Sequence, residues 1–322
     1  MKVLVTGAAG FIGRAVCERL LDDGRFDVLA VDNLNDYYSV ELKHARLATL
    51  EGRQGFVFHR LDLTDREGLE KLFQSESIDF VIHLAAQAGV RYSLRNPHAY
   101  AQSNLIGMTN LLEACHLHPV KHLLFASSSS VYGKNAKVPF SEDDRTDEPI
   151  SFYAATKKAN EVMAFSYSHL YGLPITGLRF FTVYGPWGRP DMAPWMFTES
   201  IISGKTINVF NNGQLKRDFT YIDDIVGGVL AVMETVPSGK VPFELFNIGN
   251  NNPVYLMDFI HCVEEACGHE AQKNYLPMQD GDVPITYADI SRLHKATGFT
   301  PSTSLEEGIG KFVAWYRSFH HL

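Results

Sequence analysis

The stretch that most limits what this chain can fold into is Lys2-Val3-Leu4-Val5-Thr6 followed by Gly7-Ala8-Ala9-Gly10-Phe11-Ile12-Gly13. A short apolar run that breaks into glycines, then into an amphipathic stretch through Val16, Leu20 and Leu21 ending near Gly24, reads as strand, turn and helix. Such a turn can cradle phosphate. Its glycines let the backbone approach a pyrophosphate, and the helix start offers free N–H groups and the positive end of its dipole. A chain that opens this way is expected to build an α/β fold, a Rossmann-type doubly wound parallel sheet.

The next strand, Asp27 to Val31, ends on Asp32, about twenty residues past the last glycine. A carboxylate there can accept hydrogen bonds from ribose hydroxyls and repel a 2′-phosphate, so the cofactor expected is NAD rather than NADP. Asp62-Leu63, after Phe56-Val57-Phe58, is a second strand-end acid that could face the adenine edge or simply make a turn. Phe80 to Leu84 running into Ala85-Ala86, and Lys121 to Ala126 running into serines, are apolar strands with small residues at their ends, as a buried parallel sheet under a ligand requires. His83 inside the first of these reads as a satisfied core histidine. Asn104, in a helix with Leu105, Met108, Leu111 and Leu112, either reaches the cofactor, faces solvent or braces the fold.

In Ser151-Phe152-Tyr153-Ala154-Ala155-Thr156-Lys157 a phenol and an amine stand four residues apart with no Pro or Gly between them. On a helix these positions share a face, and a nearby cation would lower the phenol pKa from ~10 towards the working pH of a general acid and base.

Bulk properties narrow the class. With 322 residues, 45% apolar and 20% charged, the chain reads as one large or two closely packed globular units. No apolar run approaches the ~20 residues that span a bilayer, and no basic-then-apolar leader precedes the first strand, so a cytoplasmic protein with no membrane partner is expected. Cys17, Cys115, Cys262 and Cys267 form no ligand or disulfide pattern, and no metal is expected. A net charge of −8 disfavours nucleic acid but leaves room for an anionic small ligand gripped by a few arginines.

Taken together, the glycine pattern, Asp32, Leu84-Ala85-Ala86, the serines before Val131-Tyr132-Gly133 and Tyr153-x-x-x-Lys157 resemble the extended short-chain dehydrogenase/reductases, over essentially the whole chain. Within them the chain is similar to the nucleotide-sugar epimerases, above all the UDP-glucuronate 4-epimerases. The segments that narrow it are Asp32 to Tyr38, Ala86 to Ser93 and Arg179 to Ala193. The resemblance implies Tyr153 as acid/base, Lys157 on the nicotinamide ribose, and Ser128 on the sugar 4-hydroxyl, with Ser127 and Ser129 as further contributors because four consecutive serines blur the register. It implies a cofactor site of Gly7, Gly10, Phe11, Ile12, Gly13, Asp32, Asn33, Asp62, Leu63, Leu84, Ala85, Ala86 and Asn104 beside Tyr153 and Lys157. The substrate residues implied are Arg91, the serines, Tyr153, Thr182 and Arg189 on a uronate carboxylate, and Arg217 on the diphosphate. Related dehydratases and decarboxylases carry a glutamate where this chain has Ser130, so chemistry beyond C4 oxidation and return lacks its acid.

Beyond Arg179 loops lengthen and aromatic and Pro residues cluster. The expected division is a cofactor half over 1–178, rejoined by a strand near 243–249, and a smaller substrate-binding region over 179–322. A second diphosphate contact near Gln279 is in doubt, since some epimerases have arginine there. The function expected is C4 epimerisation of UDP-glucuronate with tightly held, recycled NAD+, in a homodimer. A neutral-sugar epimerase would share every catalytic residue; a UDP-glucuronate decarboxylase or a non-catalytic NAD sensor fits less well.

Overall fold

The computed structural model describes residues 1–278 and 283–322. Lys2–Thr6 (β1) runs into Phe11–Asp23 (α1), then Asp27–Asp32 (β2), Val40–Ala48 (α2), Phe56–Arg60 (β3), Arg66–Ser75 (α3) and Phe80–His83 (β4). Val90–Arg95 (α4), Pro97–Tyr100 (α5), a π-helical turn over Ala101–Ile106 and Gly107–Leu117 (α6) lead to His122–Ser128 (β5). Phe152–Tyr171 (α7) leads to Ile175–Phe180 (β6). Thr182–Tyr184 (β7), Ala193–Ile202 (α8), Ile207–Val209 (β8), Lys216–Tyr221 (β9), Ile222–Met233 (α9) and Phe243–Ile248 (β10) follow. Pro253–Tyr255 (β11), Leu256–Cys267 (α10), Lys273–Tyr275 (β12), Ser291–Thr297 (α11) and Leu305–His320 (α12) close the described chain.

Seven strands form one sheet in the order β10-β6-β5-β4-β1-β2-β3, and every pairing is parallel. This is the doubly wound sheet expected from the sequence. Strand order reverses between β1 and β4, which opens a crevice at the carboxyl ends. Alternation in β1 feeds two cores. Val3 and Val5 pack with Val16 and Leu20 of α1 and Val229 of α9, while Leu4 packs with Leu69 of α3 and Met108, Leu111 and Leu112 of α6. Two smaller sheets, β11-β9-β7 and β12-β8, lie beyond β6 in the chain.

Local chemistry sets the helix ends. Gly24 stops α1 in the left-handed region at φ 73°, where glycine has no Cβ penalty. Ser151 starts α7 by accepting the Ala154 N–H at 3.1 Å. His83 is the satisfied core histidine expected, its Nδ1 2.7 Å from Thr6 Oγ1. Asn104 differs from its cofactor assignment. It is 2% exposed, its Oδ1 accepts the Gln87 N–H at 2.8 Å, and its Nδ2 donates to Gln87 O and to Thr156 Oγ1. With both amide donors used, Asn104 braces the loop after β4. The π-helical turn frees its carbonyl from the regular ladder, and Asn160 of α7 donates to that oxygen at 2.7 Å.

Candidate active site

A cleft of about 1080 Å³ opens over the carboxyl ends of β1, β2, β4 and β5 and beneath the loops that follow β6. Apart from Asn104, every described residue singled out for cofactor or substrate lines it: Gly7, Gly10, Phe11, Ile12, Gly13, Asp32, Asn33, Asp62, Leu63, Leu84, Ala85, Ala86, Arg91, Ser127, Ser128, Ser129, Tyr153, Lys157, Thr182, Arg189 and Arg217. Gln279 lies outside the described residues.

The glycine turn is built for close approach. Gly7 sits at φ +73°, and a Cβ there would stand 2.7 Å from Ala85 N. Helix α1 has Gly10 as its N-cap, with no side chain on its first amides. Asp32 accepts from Ala9 N at 3.1 Å and Leu34 N at 2.8 Å, which fixes the carboxylate while leaving lone pairs for hydroxyl donors. Asn33 Nδ2 donates to Asp62 at 2.8 Å; burial works against the Asp62 charge, but the Asn33 and Thr64 hydrogen bonds hold its pKa below the usual range. Gln87 is buried at the cleft wall, its side chain against the Tyr100 hydroxyl. Turn, uncapped helix start and strand-end acid together fit a dinucleotide.

A buried ion pair distinguishes Ser127 from Ser128. Arg179 of β6 forks onto Glu161 of α7 at 2.8 and 2.9 Å, and the Ser127 hydroxyl donates to the same carboxylate at 2.7 Å. Ser127 is thereby tied to the interior. Ser128 is the serine whose hydroxyl reaches Tyr153, and its Oγ also meets Ser130 Oγ at 3.1 Å.

Electrostatics around Tyr153 differ from the expectation drawn from spacing. Burial pushes its phenol up, opposed by the Ser128 hydrogen bond and then by the Arg189 charge. Lys157 Nζ instead donates to Ala126 O at 2.7 Å, and burial lowers its pKa to about 8. The helical spacing puts the amine on the right face, but the main-chain carbonyl at the end of β5 claims it.

Across the cleft, Arg189 forks onto Asp191, Nε to Oδ1 at 3.0 Å and Nη2 to Oδ2 at 2.5 Å, so the loop pairing weighed against a substrate role is present. Burial disfavours the Arg189 charge, and Asp191 more than offsets this. Tyr37, absent from the sequence-derived set, donates to Asp191 Oδ2 at 3.1 Å; it lies in the Asp32 to Tyr38 segment, the only sequence signal for it. Arg91 stands over the Phe210 ring at 5.6 Å. Arg217 Nη1 donates to Lys216 O at 2.9 Å and Pro284 O at 3.3 Å. Its neighbour Asp218 is fully buried and accepts from Asn250 N, Asn251 N and Ala288 N. Asp218 thus turns inward rather than onto the surface, since adjacent strand residues face opposite ways.

An NAD-type glycine turn, a Ser/Tyr/Lys group and arginines lining one crevice define a nucleotide-dependent enzyme of the short-chain dehydrogenase type. The chain belongs to the NAD dependent epimerase/dehydratase family, whose model matches residues 3–249. It is 48% identical over 331 residues to a probable UDP-glucuronate 4-epimerase of Rhizobium meliloti, covering 98% of this chain and 97% of that protein. Among solved structures it is similar to UDP-glucuronic acid 4-epimerase of Bacillus cereus in complex with UDP-glucuronic acid and NAD (TM-score 0.93, 36% identity, 99% and 100% coverage). It is also similar to UDP-glucose 4-epimerase of Thermotoga maritima with UDP-glucose (TM-score 0.89, 34% identity, 99% and 100% coverage).

Proposed function

We propose that this protein inverts C4 of UDP-glucuronate, giving UDP-galacturonate through a 4-keto intermediate. The observation that carries the reading is the placement of Arg189 in the same cleft as Tyr153, close enough for its charge to act on the phenol. NAD+, when bound in this cleft, would supply the hydride acceptor and donor for C4. Tyr153 takes the 4-hydroxyl proton and later gives it back, with Ser128 holding both oxygens in line. Lys157 holds the nicotinamide ribose, Asp32 the adenosine ribose, and Arg217 the diphosphate. Arg189 and Thr182 hold the C6 carboxylate. A cleft of about 1080 Å³ gives the sugar room to turn about its diphosphate linkage and present its other face. Residues 1–178 with the strand near 243–249 form the cofactor half, and 179–322 mainly the substrate half.

A neutral UDP-sugar is the second reading, favoured by the Arg189–Asp191 pair, which already balances the arginine charge. Incubation with UDP-glucuronate and UDP-glucose in turn, without added cofactor, and identification of products by NMR separates the two. Turnover of UDP-glucose alone overturns the uronate reading.

The working form in this proposal is a cytoplasmic homodimer. Its contact is the outer face of α6 and α7, where Leu117, Val162, Phe165, Leu170 and Tyr171 are exposed. The four cysteines are free thiols, as a reducing compartment favours.

A further inference from the structure

The backbone ahead of Arg189 is anchored before the side chain is considered. Arg46, fully buried, donates to Trp187 O at 2.6 and 3.1 Å, to Gly188 O at 2.9 Å and to Ala9 O in the glycine turn at 3.1 Å. What stays adjustable is the direction of the Arg189 guanidinium. Asp191 takes its side-on edge, the Nε and Nη2 donors. The end-on edge, with Nη1, is not the one Asp191 takes. Asp191 is itself held from across the cleft by the Tyr37 hydroxyl, whose ring lies 4.8 Å from that of Tyr92. Gly89 makes this meeting possible, because a Cβ there would stand 2.7 Å from the Tyr37 hydroxyl and 3.7 Å from Arg189 Nη2.

We propose that Asp191, steadied by Tyr37, is a positioning residue that aims the end-on edge of Arg189 at the substrate carboxylate, and so sets how often the 4-keto intermediate keeps that carboxylate. The inference rests on the reading that Arg189 binds the C6 carboxylate. In the 4-keto sugar the C6 carboxylate is β to the C4 ketone, with C5 between them. When the C5–C6 bond lines up with the carbonyl π system, its electron pair moves onto the C4 oxygen as an enolate and CO2 leaves. C5 then takes a proton, giving a UDP-4-keto-pentose. The two electrons removed at C4 are not returned, so each CO2 leaves one equivalent of reduced NAD. A fork held side-on by Asp191 fixes the carboxylate in one rotation about C5–C6; a loose fork does not.

The test compares Asp191→Ala, Asp191→Asn, Tyr37→Phe and Arg189→Ala, each with NAD content verified, turning over UDP-glucuronate labelled in its carboxyl carbon. The readouts are CO2 and reduced NAD formed per epimer, and the dissociation constant for UDP-glucuronate. Asp191→Ala, which loses both charge-assisted hydrogen bonds to Arg189, is expected to raise the CO2 partition roughly tenfold or more. Asp191→Asn, which keeps an acceptor for Nε, and Tyr37→Phe should raise it less, and both serve if the alanine variant does not fold. A purely structural role would slow epimerisation and CO2 release together; an unchanged partition in all three overturns the proposal. Tighter UDP-glucuronate binding by Asp191→Ala with the partition unchanged also overturns it, since Asp191 would then be competing for the fork. If Arg189→Ala alters neither binding nor CO2, the uronate reading itself fails and the inference with it; an effect of Arg189→Ala without one at Asp191 defeats the inference alone.

Discussion

Replacing Gly13 with alanine tests whether the glycine turn is a cofactor cradle or only a bend. The new Cβ would stand 2.1 Å from Gly7 O, 2.8 Å from Gly7 C and 3.0 Å from Ala8 Cα. All three are backbone atoms, so no side chain can rotate away, and the turn must withdraw by about 1 Å. Overpacking of this kind costs ~1–3 kcal/mol. Because the displaced atoms belong to the turn that meets the pyrophosphate, the loss should fall mainly on NAD. A cost of that size corresponds to a roughly five- to hundredfold weaker affinity. Gly24→Ala is the control. Gly24, unlike Gly13, needs a left-handed backbone, at φ +73°, but nothing lies within 4 Å of its would-be Cβ. It should lose ~1–2 kcal/mol of stability through strain, with NAD unaffected. The assay is NAD released per chain on denaturation after dialysis, with a titration of the apoprotein. A Gly13→Ala protein that holds NAD within about twofold of the parent affinity would refute the steric argument.

Tyr153→Phe removes the proposed proton carrier and should lower turnover ~10²- to 10⁴-fold while NAD content and UDP-sugar binding persist; a variant keeping a tenth of the parent rate or more would mean the base is elsewhere. Apoprotein should recover activity with NAD+ and not with NADP+, because Asp32 is fixed by Ala9 and Leu34 amides where a 2′-phosphate would lie; recovery with NADP+ alone contradicts this. Burial, then the Lys157 charge, pushes His83 down to about 3, and burial pushes His122 down to about 4, whereas an unfolded imidazole titrates near ~6.5. The unfolded chain therefore binds protons that the folded one does not. Their stabilising contribution is full above ~6.5 and falls as pH drops towards the folded values. Urea midpoints that stay level from about pH 7 to about pH 5, or that fail to flatten in His122→Gln, would contradict that sign.

Much of the sheet was legible in the sequence because its signals are local: Gly7, Gly10 and Gly13 follow a run that can only be buried, Asp32 closes the next one, and Gly24 marks a helix end by short-range chemistry. The helical spacing likewise put Tyr153 and Lys157 on one face, but spacing says nothing of which acceptor claims the amine, and the carbonyl of Ala126 takes it. Counting back from Val131-Tyr132-Gly133 points to Ser128 among four serines, but that Ser127 is tied to Glu161, and through it to Arg179 of β6, is visible only in the structure. Asn104 looked available on its helix, yet Gln87 and Thr156 use up its amide. The partners that set Arg189 are more distant still, with Arg46 141 residues from Trp187 and Tyr37 154 residues from Asp191. A pattern within one segment can dictate what that segment becomes, because backbone geometry and burial act over a few residues. Which charges meet across the cleft depends on how loops from β2, β4 and β7 converge, and that convergence exists only once the sheet has brought their ends together.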